Sequence, residues 1–180
     1  MPNWCGNTLT ITHENPAMIS RAKAAFAEGN FLNEFIPNPA GEWDYDWSVA
    51  NWGTKWDVGD GNGIQTWDDH ELVVYFDSAW SPPITAYEKL MDLGFTVYAT
   101  YYEPGSAFAG IWEDGIDDHY DLSGMDSGDV EQQLPSELND TFGISETMAE
   151  YEAEQEDEVT VWYKDGVEAT GLIPHEVPKK

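Results

Sequence analysis

The sequence predicts a mixed α+β fold in which helices lie on one face of an antiparallel sheet. Several short segments alternate apolar and polar residues with a period of two, and two segments between them repeat apolar residues at helical spacing. The resulting order of strand, helix, strand, helix, strand and strand is typical of a ferredoxin-like α+β sandwich. Nine Trp, nine Tyr and seven Phe in 180 residues also indicate a folded chain, because disordered acidic chains usually lack aromatic residues.

The first two elements follow directly from this spacing. Residues 4–13 alternate threonines with Leu9 and Ile11, and this alternation predicts a strand. Pro16 then opens a segment of strong helix formers with an apolar face, and Gly29 is suited to end it. We therefore predict a helix after the first strand.

Residues 31–69 show little periodicity, and we predict a long insert without regular structure. FIPNPAGEWDYDW contains two prolines, and DVGDGNG is rich in turn-forming residues. Long irregular loops are usually functional or held in place by their own side chains. Aromatic anchors are expected, because this Trp-rich segment contains Trp43, Trp47, Trp52, Trp56 and Trp67.

The remaining elements complete a core that we place in residues 1–122. Residues 71–77 alternate like a strand, and residues 84–94 have the spacing of an amphipathic helix. Residues 95–103 are rich in β-branched and aromatic residues, and residues 107–114 follow a PGS turn as a hairpin partner. HYDL is expected to add a short strand.

After the core, the composition becomes acidic and helical. Residues 123–157 are predicted to form an acidic helical insertion, in which Ser145 caps the last helix. EVTVWYK alternates like a strand, and we expect residues 158–172 to return that strand to the sheet. The whole chain is therefore predicted to be a single domain.

The charge balance excludes several classes of partner. Thirty-five acidic residues and seven basic residues give a formal net charge of −28. Binding to nucleic acid needs Lys and Arg to displace counterions from phosphates, and anionic membranes repel a polyanion. We therefore expect no direct nucleic-acid binding and no membrane association, and we expect a monomer or small homo-oligomer.

The acidic residues are concentrated where the chain has no base, because no Lys or Arg occurs between Lys89 and Lys164. On a helix, Glu146, Glu150 and Glu154 would lie on one face about 6 Å apart along the axis. Such a row resembles DNA phosphates in spacing and sign, so a basic DNA-binding protein is the expected partner. A solvated surface and adaptation to high salt are alternatives. The predicted acidic face comprises Glu113, Asp114, Asp117, Asp118, Asp121, Glu146, Glu150, Glu154 and Asp157.

Other chemistry has little support in the sequence. Cys5 is the one cysteine, so no intrachain disulfide can form, and we expect it to be buried in a cytoplasmic protein. The spacing of the histidines pairs none of them with a nucleophile. DVGDGNG lacks the ligand positions of an EF-hand loop. We therefore predict no catalytic residues, cofactor or metal, and the aromatic and acidic residues leave carbohydrate binding as an alternative.

A second hypothesis concerns the heptad NWGTKWD, which places a rare lysine between two tryptophans. A small enzyme or ligand-binding module would have a pocket beside Trp52 and Trp56, with Lys55 reaching an anionic group. Alternatively, Lys55 neutralises Asp44, Asp46, Asp57 or Asp60 and the heptad is a scaffold. The candidate residues of this alternative site are Asn51, Trp52, Lys55, Trp56 and Asp57.

Five motifs together carry a resemblance to a known family. MPNWCGNTLTI, FIPNP, NWGTKWD, SAWSPP and YYEPGSAFAG resemble the YubB-like ferredoxin-fold family of small plasmid and phage proteins. The resemblance covers residues 1–112 and implies a ferredoxin-like sheet and a mobile-element origin. It implies no known activity, so no catalytic residues carry over, and Trp, Pro and Gly dominate the matching positions as in a structural motif.

The implied origin gives the negative charge a possible purpose. Mobile elements face host nucleases, restriction enzymes and CRISPR complexes, whose DNA channels are basic. A compact polyanion competes for such a channel. The sequence therefore predicts an inhibitor of a host DNA-binding defence protein, acting as an acidic DNA mimic (an anti-CRISPR or antirestriction protein) in the host cytoplasm.

Overall fold

The chain folds as two compact units, Met1–Ser123 and Gly124–Lys180. The structure, a computed structural model, describes residues 2–157, 161–164 and 167–170, and the side chains of residues 2–154. The boundary between the units falls at Ser123, where the sequence becomes acidic and helical. The predicted acidic helical insertion begins at residue 123, and the division of the chain into two units falls at the same change in composition.

The first unit contains a six-stranded antiparallel sheet, which confirms the mixed α+β class. Its strands are β1 Trp4–Thr12, β2 Ile64–Trp67, β3 Glu71–Ala79, β4 Thr96–Glu103, β5 Phe108–Glu113 and β6 Ile116–Asp121. Their order in the sheet is β2-β3-β1-β4-β5-β6. The strand expected at HYDL is therefore longer than its motif and pairs with β5 as the second arm of a hairpin.

Two β-α-β connections interleave in this sheet: one runs from β1 through helices to β2, and the other runs from β3 through a helix to β4. β1 pairs antiparallel with both β3 and β4, so that Leu9 lies opposite Val74 on one side and Ala99 on the other. β2 is antiparallel to β3 and therefore parallel to β1, with β3 between them. In the same way β3 and β4 are parallel, with β1 between them.

Four helices accompany this sheet, and their ends follow local capping rules. They are α1 Pro16–Ala27, α2 Phe31–Phe35, α3 Tyr45–Trp52 and α4 Ile84–Asp92. Asn15 precedes α1, and its side chain accepts a hydrogen bond from the Ala17 N–H in the first turn of the helix. Asp44 precedes α3, and its side chain accepts a hydrogen bond from the Trp47 N–H in the first turn. Gly53, with a φ of 83°, directly follows α3 and caps its C-terminal end.

The hydrophobic core lies between one face of the sheet and these helices. The burial of β1 alternates, with Leu9 and Ile11 buried. They share the core with Phe26 of α1, Leu32 of α2 and Leu90 of α4. One face of each central strand is thus covered by helices, as the period of two predicts.

The prediction that residues 31–69 lack regular structure is wrong. This segment contains α2, α3, a 3₁₀ turn at Gly61–Gly63 and strand β2. Phe31, Leu32 and Trp52 from it are buried in the core. These elements are too short for periodicity to reveal them, and tertiary packing holds them in place.

The second unit is helical in its described part, with α5 Ser127–Gln133, α6 Ser136–Phe142 and α7 Ile144–Asp157. Val130, Leu138 and Ile144 are buried within it. α7 begins at Ile144, so Ser145 is not its cap. The Ser145 N–H instead donates to the Asn139 side chain at 2.8 Å, and the Asn139 amide donates to the Ser145 hydroxyl at 2.8 Å.

The strand predicted at the end of the chain forms but has a different partner. β7 Val161–Lys164 pairs antiparallel with β8 Val167–Thr170, and the two strands make a sheet of their own. The predicted return of this strand to the large sheet is therefore not the pairing that forms. Residues 158–160 and 171–172 of the predicted element lie outside the described residues. None of the described helices is both long and apolar enough to cross a membrane.

Candidate functional site

The acidic residues of the β5–β6 hairpin are exposed but do not form a single face. Glu113 and Asp114 lie at the turn, and Asp117, Asp118 and Asp121 lie on β6. Successive residues of a strand point to opposite sides of the sheet, so Asp118 is directed away from Asp117 and Asp121. The five residues predicted to act together are thus divided between the two sides of one hairpin.

One aspartate of the hairpin has a specific partner. The Tyr101 hydroxyl donates a hydrogen bond of 2.6 Å to an Asp117 carboxylate oxygen and lies 3.2 Å from His119 Nδ1. Burial, followed by this carboxylate, raises the pKa of Tyr101. Gly110 makes room for the tyrosine, because a Cβ there would lie 2.2 Å from the Tyr101 hydroxyl oxygen. One carboxylate oxygen of Asp117 is therefore already used in a hydrogen bond within the fold.

The acidic row on α7 matches its prediction more closely. Glu146, Glu150 and Glu154 are all exposed on one helix, and their spacing of four residues keeps them on one side of it. Glu152 has another role, because its carboxylate accepts from the N–H and the hydroxyl of Ser127 at 2.9 and 2.6 Å. Asp157 is the last residue of α7, and its side chain lies outside the described part.

Few cations compensate these carboxylates. Within the described side chains, the one ion pair joins Arg21 to Glu34 at 2.5 Å. Lys23 lies over the Trp67 ring at 3.2 Å and Lys55 over the Trp56 ring at 4.4 Å. Residues 124–154 contain no Lys or Arg at all. Residues 124–154 thus present carboxylates with no Lys or Arg within that stretch.

The motifs that carry the family resemblance converge at one end of the sheet. The Thr54 hydroxyl oxygen lies 3.1 Å from both the N–H nitrogen and the carbonyl oxygen of Ala79. The Ser81 hydroxyl donates to the Gly53 carbonyl at 2.8 Å, and the Trp80 N–H donates to the Asn3 carbonyl at 3.0 Å. Three segments that are far apart in sequence are therefore joined by hydrogen bonds, which is the behaviour of a structural motif.

Two residues of the predicted alternative site, Trp52 and Asn51, make contacts that hold the fold. Trp52 is 4% exposed, and its indole N–H donates to the Ile36 carbonyl at 3.0 Å. The Asn51 amide oxygen accepts from the Lys89 ammonium at 2.7 Å. Trp52 and Asn51 are thus committed to contacts within the protein.

Asp57 is the most heavily used of these side chains. Its carboxylate accepts from the N–H groups of Leu32, Asn33 and Val58 at 2.6, 2.9 and 2.8 Å. Burial raises the pKa of Asp57, and the three N–H groups oppose that rise. The side chain ties the heptad NWGTKWD to the first turn of α2.

Lys55 has no carboxylate partner among the described residues, so the predicted ion pair with Asp44, Asp46, Asp57 or Asp60 is wrong. Its ammonium lies 4.4 Å from the centre of the Trp56 ring and 5.2 Å from that of Trp80. Both rings are partly exposed. Cation–π attraction therefore takes the place of a salt bridge.

The backbone of Trp80 is strained. Its φ is 69°, a conformation that is unfavourable for a bulky residue and costs about 1–3 kcal/mol. The ring it carries is 42% exposed and contacts Tyr45 in a T-shaped pair. Strain that holds an aromatic ring towards solvent is characteristic of functional positions.

A groove of about 440 Å³ lies beside this aromatic cluster. We call it the Trp4–Trp56 groove, and its lining includes Trp4, Trp56, Tyr75, Asp60, Gln65 and Asp77. A second cavity of about 380 Å³ is lined by Trp43, Trp52 and Asp57, among others. Cavities thus flank both predicted tryptophans, but Lys55 lines neither of them.

Two aromatic residues of this region, Trp80 and Tyr75, were not among the site residues predicted from the sequence. Both belong to β3 or follow it directly, where burial was the natural expectation. A signal was present at Trp80, because a large aromatic residue stands between the end of a strand and the pair Pro82–Pro83. Positions of that kind often need unusual backbone angles.

Cys5 is not placed as a nucleophile. It is fully buried, and burial together with nearby Glu103 raises its pKa to about 12. Among the residues that the structure describes, no three His, Cys, Asp or Glu side chains are grouped to hold a metal. Comparisons with protein-family models, curated proteins and solved structures gave no match to this chain.

Proposed function

We propose that this protein inhibits a host DNA-binding defence protein by occupying a basic nucleic-acid groove as an acidic DNA mimic. The observation that carries the proposal is the lack of charge compensation. The net charge is −28, and the described side chains form one ion pair. Carboxylates that have no cationic partner among the described side chains remain available to a basic partner.

The α7 row is the part of the acidic surface best suited to this role. Glu146, Glu150 and Glu154 are exposed on one side of the helix, with a spacing of about 6 Å along the helix axis. Like charges at this spacing destabilise a helix slightly, and a binding role would account for placing them there. The hairpin cluster contributes charge, but its division between two sides makes it a poorer phosphate row.

The strand order supports the proposed relationship to the YubB-like family. The interleaved crossings of β1, β2, β3 and β4 support the proposal of a ferredoxin-like fold. We infer membership of the YubB-like family of plasmid and phage proteins from that order together with the five motifs. A cytoplasmic target in a bacterial host, such as a CRISPR complex, restriction enzyme or nuclease, follows from that inference.

The alternative function is a small enzyme or ligand-binding module built around Lys55. One observation favours a ligand site in this region, namely the groove beside Trp56. The Lys55 ammonium, however, lies against two rings and does not line that groove. Other residues therefore determine what the groove binds.

The test is a capture experiment from host lysate at low and high salt, followed by DNA competition. We expect a basic DNA-binding protein to be retained at low salt and released at high salt. Duplex DNA and this protein should then exclude one another from the captured target. A target that binds both together without interference would rule out mimicry.

A charge-reversal variant locates the surface. Glu146→Lys, Glu150→Lys and Glu154→Lys together should abolish inhibition, because each side chain would then repel the basic groove. The matched control reverses Glu14, Glu28 and Glu88, which are also exposed but lie in the first unit. Both triple variants change the net charge equally, so an equal loss in both would show that total charge acts and that the α7 row does not.

A further inference from the structure

The Trp4–Trp56 groove is built on an open stretch of sheet edge. β2 pairs with β3 at Leu72, Val73 and Val74, so β2 does not cover β3 from Tyr75 onward. Thr54 satisfies the backbone of Ala79 at the far end. The groove lies between these two points, and its position is fixed by the strand pairing.

Three aromatic side chains border the groove and remain accessible. Trp4 is 47% exposed, Trp56 is 36% exposed and Tyr75 is 41% exposed. The centres of the Trp4 and Trp56 rings are 5.8 Å apart, and their planes are tilted by 38°. Two indoles that are this close leave no space for a flat ring between them, but they present their faces and edges to the groove.

The ionisable groups of the groove are acidic, and two of them are free to act. Its lining includes Asp57, Asp60 and Asp77 and no Lys, Arg or His. Asp57 is already committed to three backbone N–H groups. Asp60 uses one oxygen on the Asn62 N–H at 2.6 Å, and Asp77 has a long contact of 3.3 Å with the Tyr75 hydroxyl. The second oxygen of Asp60 and the second oxygen of Asp77 can therefore receive a strong donor.

Elsewhere in the protein, aromatic rings bind the chain's own basic side chains through cation–π contacts. Of the four basic side chains that the structure describes, three lie over rings: Arg21 over Phe35, Lys23 over Trp67 and Lys55 over Trp56. Exposed rings combined with carboxylates attract cations, through the electron-rich ring face and through charge. The groove has both features, and its lining contains no Lys, Arg or His, although Lys55 lies over the Trp56 ring from outside that lining.

We propose that the Trp4–Trp56 groove binds an organic cation, a guanidinium or alkylammonium group, between its indole rings and the carboxylates of Asp60 and Asp77. The aspartates repel anionic ligands such as nucleotides. The negative field of the protein concentrates cations near the groove. The cation could come from a basic side chain of another protein or from a free polyamine, which share this chemistry. The proposal does not depend on the proposed inhibition of a DNA-binding protein.

Nuclear magnetic resonance of the tryptophan indole N–H groups tests this proposal directly, because each indole reports its own surroundings. The probes are N-acetyl-arginine amide and tetramethylammonium, titrated at 0.3 M salt to suppress binding through general charge. We expect saturable shifts at Trp4 and Trp56 and none at Trp67. N-acetyl-citrulline amide, which has the shape of the arginine probe without its charge, should produce no shift.

Two substitutions connect the shifts to the groove. Asp77→Asn removes one charge without changing the side-chain shape, and it should weaken binding of the arginine probe by about twofold to fivefold, the range typical of an exposed ionic or cation–π contact. Glu71→Gln is the matched control on the same strand, outside the groove lining, and should bind as the parent does. Trp4→Leu should weaken tetramethylammonium binding by a similar factor, while the unchanged signal of Trp67 confirms the fold.

Comparison of the probes identifies the source of the cation and shows which outcomes contradict the proposal. Tighter binding of spermidine than of an arginine-containing peptide assigns the site to a free polyamine, and the reverse order assigns it to a protein side chain. The proposal is overturned if the cationic probes shift Trp67 as much as Trp56, if Asp77→Asn binds as the parent does, or if neutral sugars move Trp4 and Trp56 and the cations do not.

Discussion

Replacing Asp57 tests whether the heptad NWGTKWD is a scaffold or a site. In Asp57→Ala, the N–H groups of Leu32, Asn33 and Val58 lose their acceptor. A hydrogen bond to a charged group contributes about 1.5–3 kcal/mol. Asp57 is half-buried, and water can reach part of the vacated space, so the lower value applies. For the three lost hydrogen bonds we expect the free energy of unfolding to fall by about 4–5 kcal/mol, a large share of the 5–15 kcal/mol that is typical of a domain.

Two further variants calibrate this loss. Asp57→Asn retains an amide oxygen for the two N–H groups that meet Oδ1 and loses the contact with Asn33, so a smaller loss of about 1–2 kcal/mol is expected. Asp60→Ala removes one hydrogen bond from an exposed turn and should cost about 0.5–1 kcal/mol.

Urea unfolding followed by tryptophan fluorescence measures these differences. Eight of the nine tryptophans, all except Trp162, precede residue 124, so the signal reports the first unit. The reasoning is refuted if Asp57→Ala is destabilised no more than Asp60→Ala. That result, combined with a loss of ligand binding, would identify Asp57 as a site residue.

Two other predictions concern the strained tryptophan and the buried thiol. Trp80→Gly should be more stable than Trp80→Ala by about 1 kcal/mol in thermal unfolding, because both lose the ring and alanine alone is strained at a φ of 69°; equal stability would show that the backbone relaxes. The Cys5 thiol should not react with a disulfide reagent at pH 8 in the folded protein, since its pKa is raised to about 12. A raised pKa favours the protonated thiol in the folded state, so this contribution to stability is complete below the ordinary value of 9.0 and is lost as the pH rises towards 12. Rapid modification at pH 8 would show that the thiol is accessible.

The sequence predicted the elements whose periodicity is long enough to be read. Strand β1 and helix α4 lie within a few residues of their expected positions, because nine-residue elements give clear alternation or helical spacing. α3 was missed although Asp44 at its start and Gly53 at its end are standard capping residues. The pairing of β7 with β8 was not predictable from alternation, because a strand pattern does not specify its partner.

The candidate sites were predictable in part for the same reason. Exposure of the α7 row follows from its spacing, since three glutamates on one helical face are rarely buried. The division of the hairpin aspartates follows from strand geometry, which could be applied only once β6 was known to include all of them. The Trp4–Trp56 groove combines β1, β3 and the Trp-rich segment, and no local pattern brings those residues together.

The placement of the few basic residues connects the two proposals. A chain with a charge of −28 would gain most, in simple electrostatic terms, by setting each lysine among its carboxylates. Instead, Lys23 and Lys55 lie on tryptophan rings, where they relieve little of the repulsion. Exposed ion pairs contribute only about 0–1 kcal/mol, so little stability is lost by this arrangement. Its consequence is that the α7 row and the groove aspartates Asp60 and Asp77 form no ion pair among the described side chains, and both surfaces are thereby suited to cationic partners, one macromolecular and one the size of a side chain.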